Sequence, residues 1–245
     1  MASATGIPET RSGDAANHGR GEQEPLLGRA GDASQQEDQG LQFNFVIGTA
    51  VIAQVGIWIL TATIWASVFV QPLMLFSAHP LLNSAGILLT TQAILLLQPT
   101  HTPKQKKQGA NIHGILNLTS ILTLIAALVV IEYNKIAHSG AHFESPHAIL
   151  GLITYILFFI QAIVGIAQYY TPGVFGSTDK AKSIYKYHRM SGYVILIMSF
   201  VTIAAATQTG FNKNVLHIQL WAVVVASVIT LIGVLPRIKK QKLGL

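Results

Sequence analysis

The chain has 245 residues, of which 51% are hydrophobic and only 11% charged, with a net charge of +6 and no cysteine. A soluble domain carries about 25% charged residues, so the deficit points to lipid as the solvent. The missing cysteine excludes disulfides, thiolate metal sites and cysteine nucleophiles.

Residues 1–40 are rich in Gly, Ala, Glu, Gln and Asp and poor in large apolar side chains. Such a segment buries too little surface to offset its ordering entropy, which predicts a disordered cytosolic tail. No charged n-region leads into an apolar h-region, so the stretch is not a cleaved signal peptide. Within it, EQEPLLG (Glu22–Gly28) sets Glu22 ahead of Leu26 and Leu27, the form of an acidic dileucine sorting signal. That signal favours an endosomal, lysosomal or vacuolar membrane; the alternative is a chance match in a short pattern.

Asp, Glu, Lys and Arg are absent from 39–103, 108–131, 145–178, 190–212 and 214–236. A membrane-crossing helix needs about 20 apolar residues. The first run holds two such helices and each of the others one, which predicts six spans at roughly 44–68, 80–99, 110–132, 147–170, 187–208 and 215–236. Together they make a transmembrane domain over 41–237, followed by a basic cytosolic tail over 238–245. Of the 16 cations, Lys135 and Lys213 fall on one side of this layout and the other 14 on the opposite side. The positive-inside rule then places both termini in the cytosol, as an even number of spans requires. Topology accounts for the basic residues, so no nucleic-acid partner is expected.

Nine histidines are present. His18 lies in the tail, His101 in a loop, and His138, His142 and His217 near non-cytosolic helix ends. His79, His113, His147 and His188 each stand at the start of a successive span, the second to the fifth. Successive spans run in opposite directions, so His79 and His147 lie near the outer face and His113 and His188 near the cytosolic face. About a turn inside each end of a ~30 Å core, the two pairs stand ~20 Å apart along the membrane normal. An ionisable group inside a membrane is a functional-site hypothesis by default. A neutral imidazole ligates a metal through one nitrogen while the other N–H finds a partner. Two imidazoles facing each other would fill both axial positions of a haem iron and leave none for oxygen. Two histidines without a carboxylate or cysteine make a poor zinc site. Gly151 and Gly192 each follow a histidine by four residues, on the same helical face, and would make room for a flat ring. Asn117 holds the equivalent place after His113.

The segments FSAHPLLNS (Phe76–Ser84), HGILN (His113–Asn117), HFESPHAILGL (His142–Leu152), QAIVG (Gln161–Gly165) and YHRMSGY (Tyr187–Tyr193), in this order and spacing, resemble the cytochrome b561 family over about 43–237. The resemblance implies an all-α membrane protein whose second to fifth helices form a four-helix bundle around two b-type haems. It implies His79 with His147 on the non-cytosolic haem iron and His113 with His188 on the cytosolic one. It further implies a homodimer that takes electrons from cytosolic ascorbate and delivers them to ferric iron or monodehydroascorbate, a transmembrane ascorbate-dependent oxidoreductase. Family members place lysines seven and three residues before the third-helix histidine; here Lys106 holds the first place and Ala110 the second. Lys106, Lys107, Lys186 and Arg189 are the candidates for holding ascorbate, a monoanion at neutral pH. His142 and Phe143 are the candidates for the acceptor site. Two alternatives stand beside this reading: a haem-free six-span transporter or scaffold whose histidines line a polar path, and a di-haem carrier fed by a quinol or flavoprotein.

Overall fold

The computed structural model describes residues 34–36, 39–239 and 243. The Glu22–Leu27 signal, His18, Lys240 and Lys242 lie outside the described residues.

Among the described residues seven α-helices follow one another: α1 (Ala50–Phe69), α2 (Ala78–Leu97), α3 (Pro103–Ala137), α4 (Pro146–Tyr170), α5 (Thr178–Ser183), α6 (Tyr185–Ala206) and α7 (Leu220–Val234). Six helical segments among the described residues are long and apolar enough to cross a membrane, as the charge-free runs require. The second to fifth spans correspond to α2, α3, α4 and α6.

Local chemistry sets the boundaries. Thr102 caps α3 by accepting from the Gln105 backbone N–H, Gln105 reciprocates through its side chain, and Pro103 opens the first turn. This capping box starts α3 seven residues earlier than the apolar pattern does, so Lys104, Lys106 and Lys107 ride on its first turns rather than in a loop. Ser145 caps α4 by accepting from the Ala148 N–H, again with proline in the first turn. The polar stretch before the fifth span forms its own short helix, α5, capped by Ser177. Residues 41–45 form a 3₁₀ turn, so α1 begins at Ala50 and not at residue 44.

The helices associate as three pairs: α1 with α7, α2 with α3, and α4 with α6. Small residues permit the closest approach in the first pair. A Cβ on Gly233 would lie 2.1 Å from the Ala53 backbone nitrogen, and one on Gly56 2.4 Å from that of Thr230. The other two pairs face each other with little direct packing of α3 on α4 or α2 on α6. A cavity of about 920 Å³ opens between them near one end of the bundle.

At the opposite end the six-span unit is tied by buried polar groups. Arg237, just past α7, is 2% exposed. Its Nε donates to Gln98 Oε1, and its terminal nitrogens donate to the carbonyls of Asn44, Ile47 and Leu95. Asn44 in turn donates to the Leu96 carbonyl and to Gln35 Oε1. Gln35, within the stretch whose composition suggests disorder, is buried, and its backbone N–H donates to the Pro99 carbonyl.

Candidate functional site

Exposure sorts the eight described histidines into two classes. His101, His138, His142 and His217 are exposed, whereas His79, His113, His147 and His188 are half-buried. The four that stand at the starts of the middle spans are thus also the four that point inward.

His79 on α2 and His147 on α4 meet across the large cavity. Their ring centroids are 6.2 Å apart and their planes 86° apart. His79 Nδ1 lies 3.0 Å from the Ala127 carbonyl of α3, and His147 Nδ1 lies 3.0 Å from the Thr202 carbonyl of α6. A carbonyl only accepts, so each Nδ1 carries the proton and each Nε2 keeps its lone pair. Two imidazoles on one metal, each nitrogen about 2.0 Å from it, have centroids about 6 Å apart. The spacing and the tautomers therefore suit a single shared metal. Among the described residues no cluster of three or more His, Cys, Asp or Glu could hold a bare ion. A two-nitrogen donor set suits a metal that brings its own equatorial ligands, as a haem does. Phe76 stacks on His79 at 5.7 Å, and Gly151 faces the cavity, where a Cβ would meet only Thr202 Cγ2 at 3.8 Å.

The second pair repeats part of this design. His113 Nδ1 lies 3.0 Å from the Ala93 carbonyl of α2, and His188 on α6 is close enough to His113 for the two to interact electrostatically. His188 differs in that its Nδ1 is buried without a hydrogen-bond partner. Its backbone carbonyl accepts from Gln161 Nε2 at 2.6 Å, and Ser191 Oγ donates to Gln161 Oε1 at 2.7 Å. Gly165 on α4 packs against the ring, so that a Cβ there would lie 2.8 Å from His188 Cε1. Gly192 does not make room for a ring. The Gln161 amide fills the space, 3.1 Å from where a Cβ would be.

The substrate candidates fall into three places. Lys106 and Lys107 are exposed on α3, and Lys106 neighbours Lys239. Partial burial, with Lys106 and Arg237 nearby, holds Lys239 below the ordinary lysine range, a mark of concentrated positive potential. Lys186 and Arg189 form a second group over aromatic rings, with Lys186 Nζ 5.1 Å from the Tyr187 centroid and Arg189 6.0 Å from that of Tyr185. At the other end, His142 and Phe143 line the same cavity as His79 and His147. His142 Nδ1 lies 3.1 Å from Glu132 Oε2.

Sequence reasoning passed over three contributors. The backbone carbonyls that fix the tautomers leave no trace in residue type. Asn83 donates from Nδ2 to the His79 carbonyl at 2.8 Å, just as Asn117 does to that of His113. Its four-residue spacing from His79 was the available signal. Tyr155, on the cavity wall, donates to Asn83 Oδ1 at 2.8 Å; nothing in an apolar helix singles it out.

A profile of the family described as eukaryotic cytochrome b561 matches residues 78–217. A putative transmembrane ascorbate-dependent reductase CYB561 homolog of Caenorhabditis elegans is 28% identical over 197 residues, 73% of this chain and 72% of the nematode protein. The human transmembrane ascorbate-dependent reductase CYB561 is 24% identical over 162 residues, 65% of this chain and 62% of the human one. The plasma membrane ascorbate-dependent reductase CYBRD1 of Xenopus laevis is 29% identical over 143 residues, 58% of this chain and 48% of the frog protein. The matched region thus spans less than two thirds of the human and frog proteins.

Proposed function

Because the chain belongs to the eukaryotic cytochrome b561 family, we propose that it carries single electrons across a membrane, from cytosolic ascorbate to ferric iron or monodehydroascorbate on the other side. His79 and His147 would hold one b haem and His113 and His188 a second. Each haem, when bound, supplies a one-electron couple whose potential its surroundings set. The observation that carries this reading is the His79–His147 pair: two rings 6.2 Å apart, each with Nδ1 committed to a carbonyl and Nε2 left for a metal.

The chain's own residues do the rest. Paired imidazoles leave no open coordination position, which favours electron transfer over oxygen chemistry. Lys106, Lys107, Lys186 and Arg189 attract the ascorbate anion to the cytosolic end, where Lys239 adds to the same field. His142, Phe143 and Glu132 stand at the opposite end of the bundle, along the cavity wall that leads to His79 and His147. A carboxylate beside an imidazole suits a ferric cation there. Both termini face the cytosol on the 14-to-2 distribution of cations. A homodimer and a vacuolar or endolysosomal membrane belong to the same reading, resting on the family resemblance and on the Glu22–Leu27 pattern.

The test is spectroscopic and then vectorial. Purified protein should show a Soret band and a dithionite-sharpened α-band, with two haems per chain by pyridine haemochrome. Vesicles loaded with ascorbate should reduce an external ferric chelate. His79→Ala and His147→Ala should stop that reduction while the cytosolic haem still accepts electrons. His113→Ala and His188→Ala should stop uptake from ascorbate. A protein that remains colourless when expressed with ample haem would overturn the reading.

A further inference from the structure

Three of the four inward histidines have an Nδ1 partner, and in two cases it is a carbonyl alone. His79 differs. Its Nδ1 lies 3.0 Å from the Ala127 carbonyl and also 3.3 Å from Asn83 Nδ2. A carbonyl that accepts from Nδ1–H makes the imidazole a richer electron donor to its metal. The positive end of an amide dipole against the same nitrogen works the other way. The question is what keeps the amide facing that way, since an asparagine side chain turns about one bond.

Tyr155 answers it. Its hydroxyl donates to Asn83 Oδ1 at 2.8 Å, which points the oxygen of the amide at α4 and its nitrogen at His79. One N–H of that nitrogen is taken by the His79 carbonyl at 2.8 Å, and the other lies beside the ring. The molecule contains its own comparison. Asn117 stands four residues after His113 and donates to its carbonyl at 2.8 Å. Among the described residues, however, no hydroxyl pins Asn117, and its amide does not approach the His113 ring. The Tyr155–Asn83 bond also crosses between the α2/α3 and α4/α6 pairs, where direct packing is slight.

We propose that Tyr155 and Asn83 are a positioning pair for His79: they hold an amide N–H against its ring and so raise the midpoint potential of the haem on the His79/His147 face, leaving the other haem as it is. The inference rests on the haem-ligand roles proposed above. Outer-sphere hydrogen bonding is among the levers by which a protein sets a haem potential. A raised potential at this haem favours its reduction by the other one.

The experiment is a spectroelectrochemical titration of the purified holoprotein, Tyr155→Phe, Asn83→Leu and the double variant. The two midpoints are assigned by repeating the titration in His188→Ala, where the His79/His147 site alone remains. Tyr155→Phe removes one oxygen and keeps the ring. It should lower the midpoint of the His79/His147 haem, because the freed amide turns its oxygen toward Nδ1–H. Asn83→Leu, which leaves no amide dipole on either side of the ring, should lower it less than Tyr155→Phe does, and the double variant should match Asn83→Leu, since Tyr155 acts only through Asn83. The other midpoint should not move. Unchanged midpoints in Tyr155→Phe, equal shifts in both haems, or additive effects in the double variant would each overturn the proposal while the haem assignment stands. Should Asn83→Leu fail to load haem, Tyr155→Phe decides alone. A wild-type protein without haem would overturn the assignment and this proposal together.

Discussion

Gly165→Ala separates the two proposed haem sites by adding one carbon. The new Cβ would lie 2.8 Å from His188 Cε1. Carbon atoms in ordinary contact are about 3.5–4.0 Å apart, so the ring must retreat by about 0.7 Å or more. Metal–ligand distances hold to within about 0.2 Å, so such a retreat exceeds what a ligand tolerates. Nothing restores the ring, because His188 Nδ1 is buried without a partner that would hold it in place. The helix itself tolerates the change: alanine gains about 1 kcal/mol over glycine in propensity, against roughly 1–3 kcal/mol of overpacking. His79 and His147 sit at the other end of the bundle and are not reached. Haem per chain, measured by pyridine haemochrome on detergent-purified protein, should therefore fall from two toward one. The melting temperature should move by only a few degrees, at about 2–4 °C per kcal/mol for a chain of this size. Retention of both haems with an unchanged spectrum, or loss of both together, would refute the reasoning.

Gly151→Leu makes the complementary perturbation. Its Cβ meets only Thr202 Cγ2 at 3.8 Å, and the rest of the side chain enters the 920 Å³ cavity; the haem proposed at His79 and His147 should be lost with the fold intact, while Gly151→Ala should keep both haems. Gly233→Leu has no such room, since its Cβ would lie 2.1 Å from the Ala53 backbone. It should cost roughly 3 kcal/mol or more, about 10 °C in melting temperature, read by fluorescence-detected size exclusion after heating. Arg237→Met removes the donor that reaches Gln98 Oε1 and the carbonyls of Asn44 and Leu95, and one of the two donors at the Ile47 carbonyl, which keeps the Ala50 N–H. Each orphaned acceptor costs about 1–3 kcal/mol, offset in part because a guanidinium is no longer buried. Arg237→Lys should rescue little, because one ammonium cannot span four acceptors, and a melting curve unchanged in both variants would contradict the role given to Arg237. Finally, the apparent KM for ascorbate should rise with ionic strength, and Lys106→Ala should flatten that dependence; a KM indifferent to salt would remove electrostatic capture from the reading.

Much of the molecule was legible without coordinates. Lipid offers a backbone no hydrogen-bond partners, so each crossing segment must be a self-satisfied helix of known length. That demand acts on each segment separately, and charge-free runs therefore reveal the spans. The start of α4 was legible as well, because proline and a capping serine act within one turn. Residues 34–36 and α3 show the limit of composition. Gln35 is held by Asn44, Pro99 and Gln105, and the capping box at Thr102 drew three lysines into a helix.

The site divides along the same line. Four histidines near the starts of successive apolar runs are a pattern in one dimension, and spacing alone singled them out as a set, although His113 lies about three turns inside α3. Facing is a matter of three dimensions. The 6.2 Å meeting of His79 and His147, the carbonyls of Ala127 and Thr202 that settle their tautomers, and the Gly165 surface against His188 depend on how each helix is turned toward its neighbours. Arg237 shows the point most simply. In the sequence it is one more cation after an apolar run, equal to Lys239 in the topological count. In the fold it is buried against carbonyls up to 193 residues away. Local composition decides which segments enter the membrane. Only the packing of those segments decides which polar groups meet inside it, because each such contact joins residues that the chain itself keeps far apart.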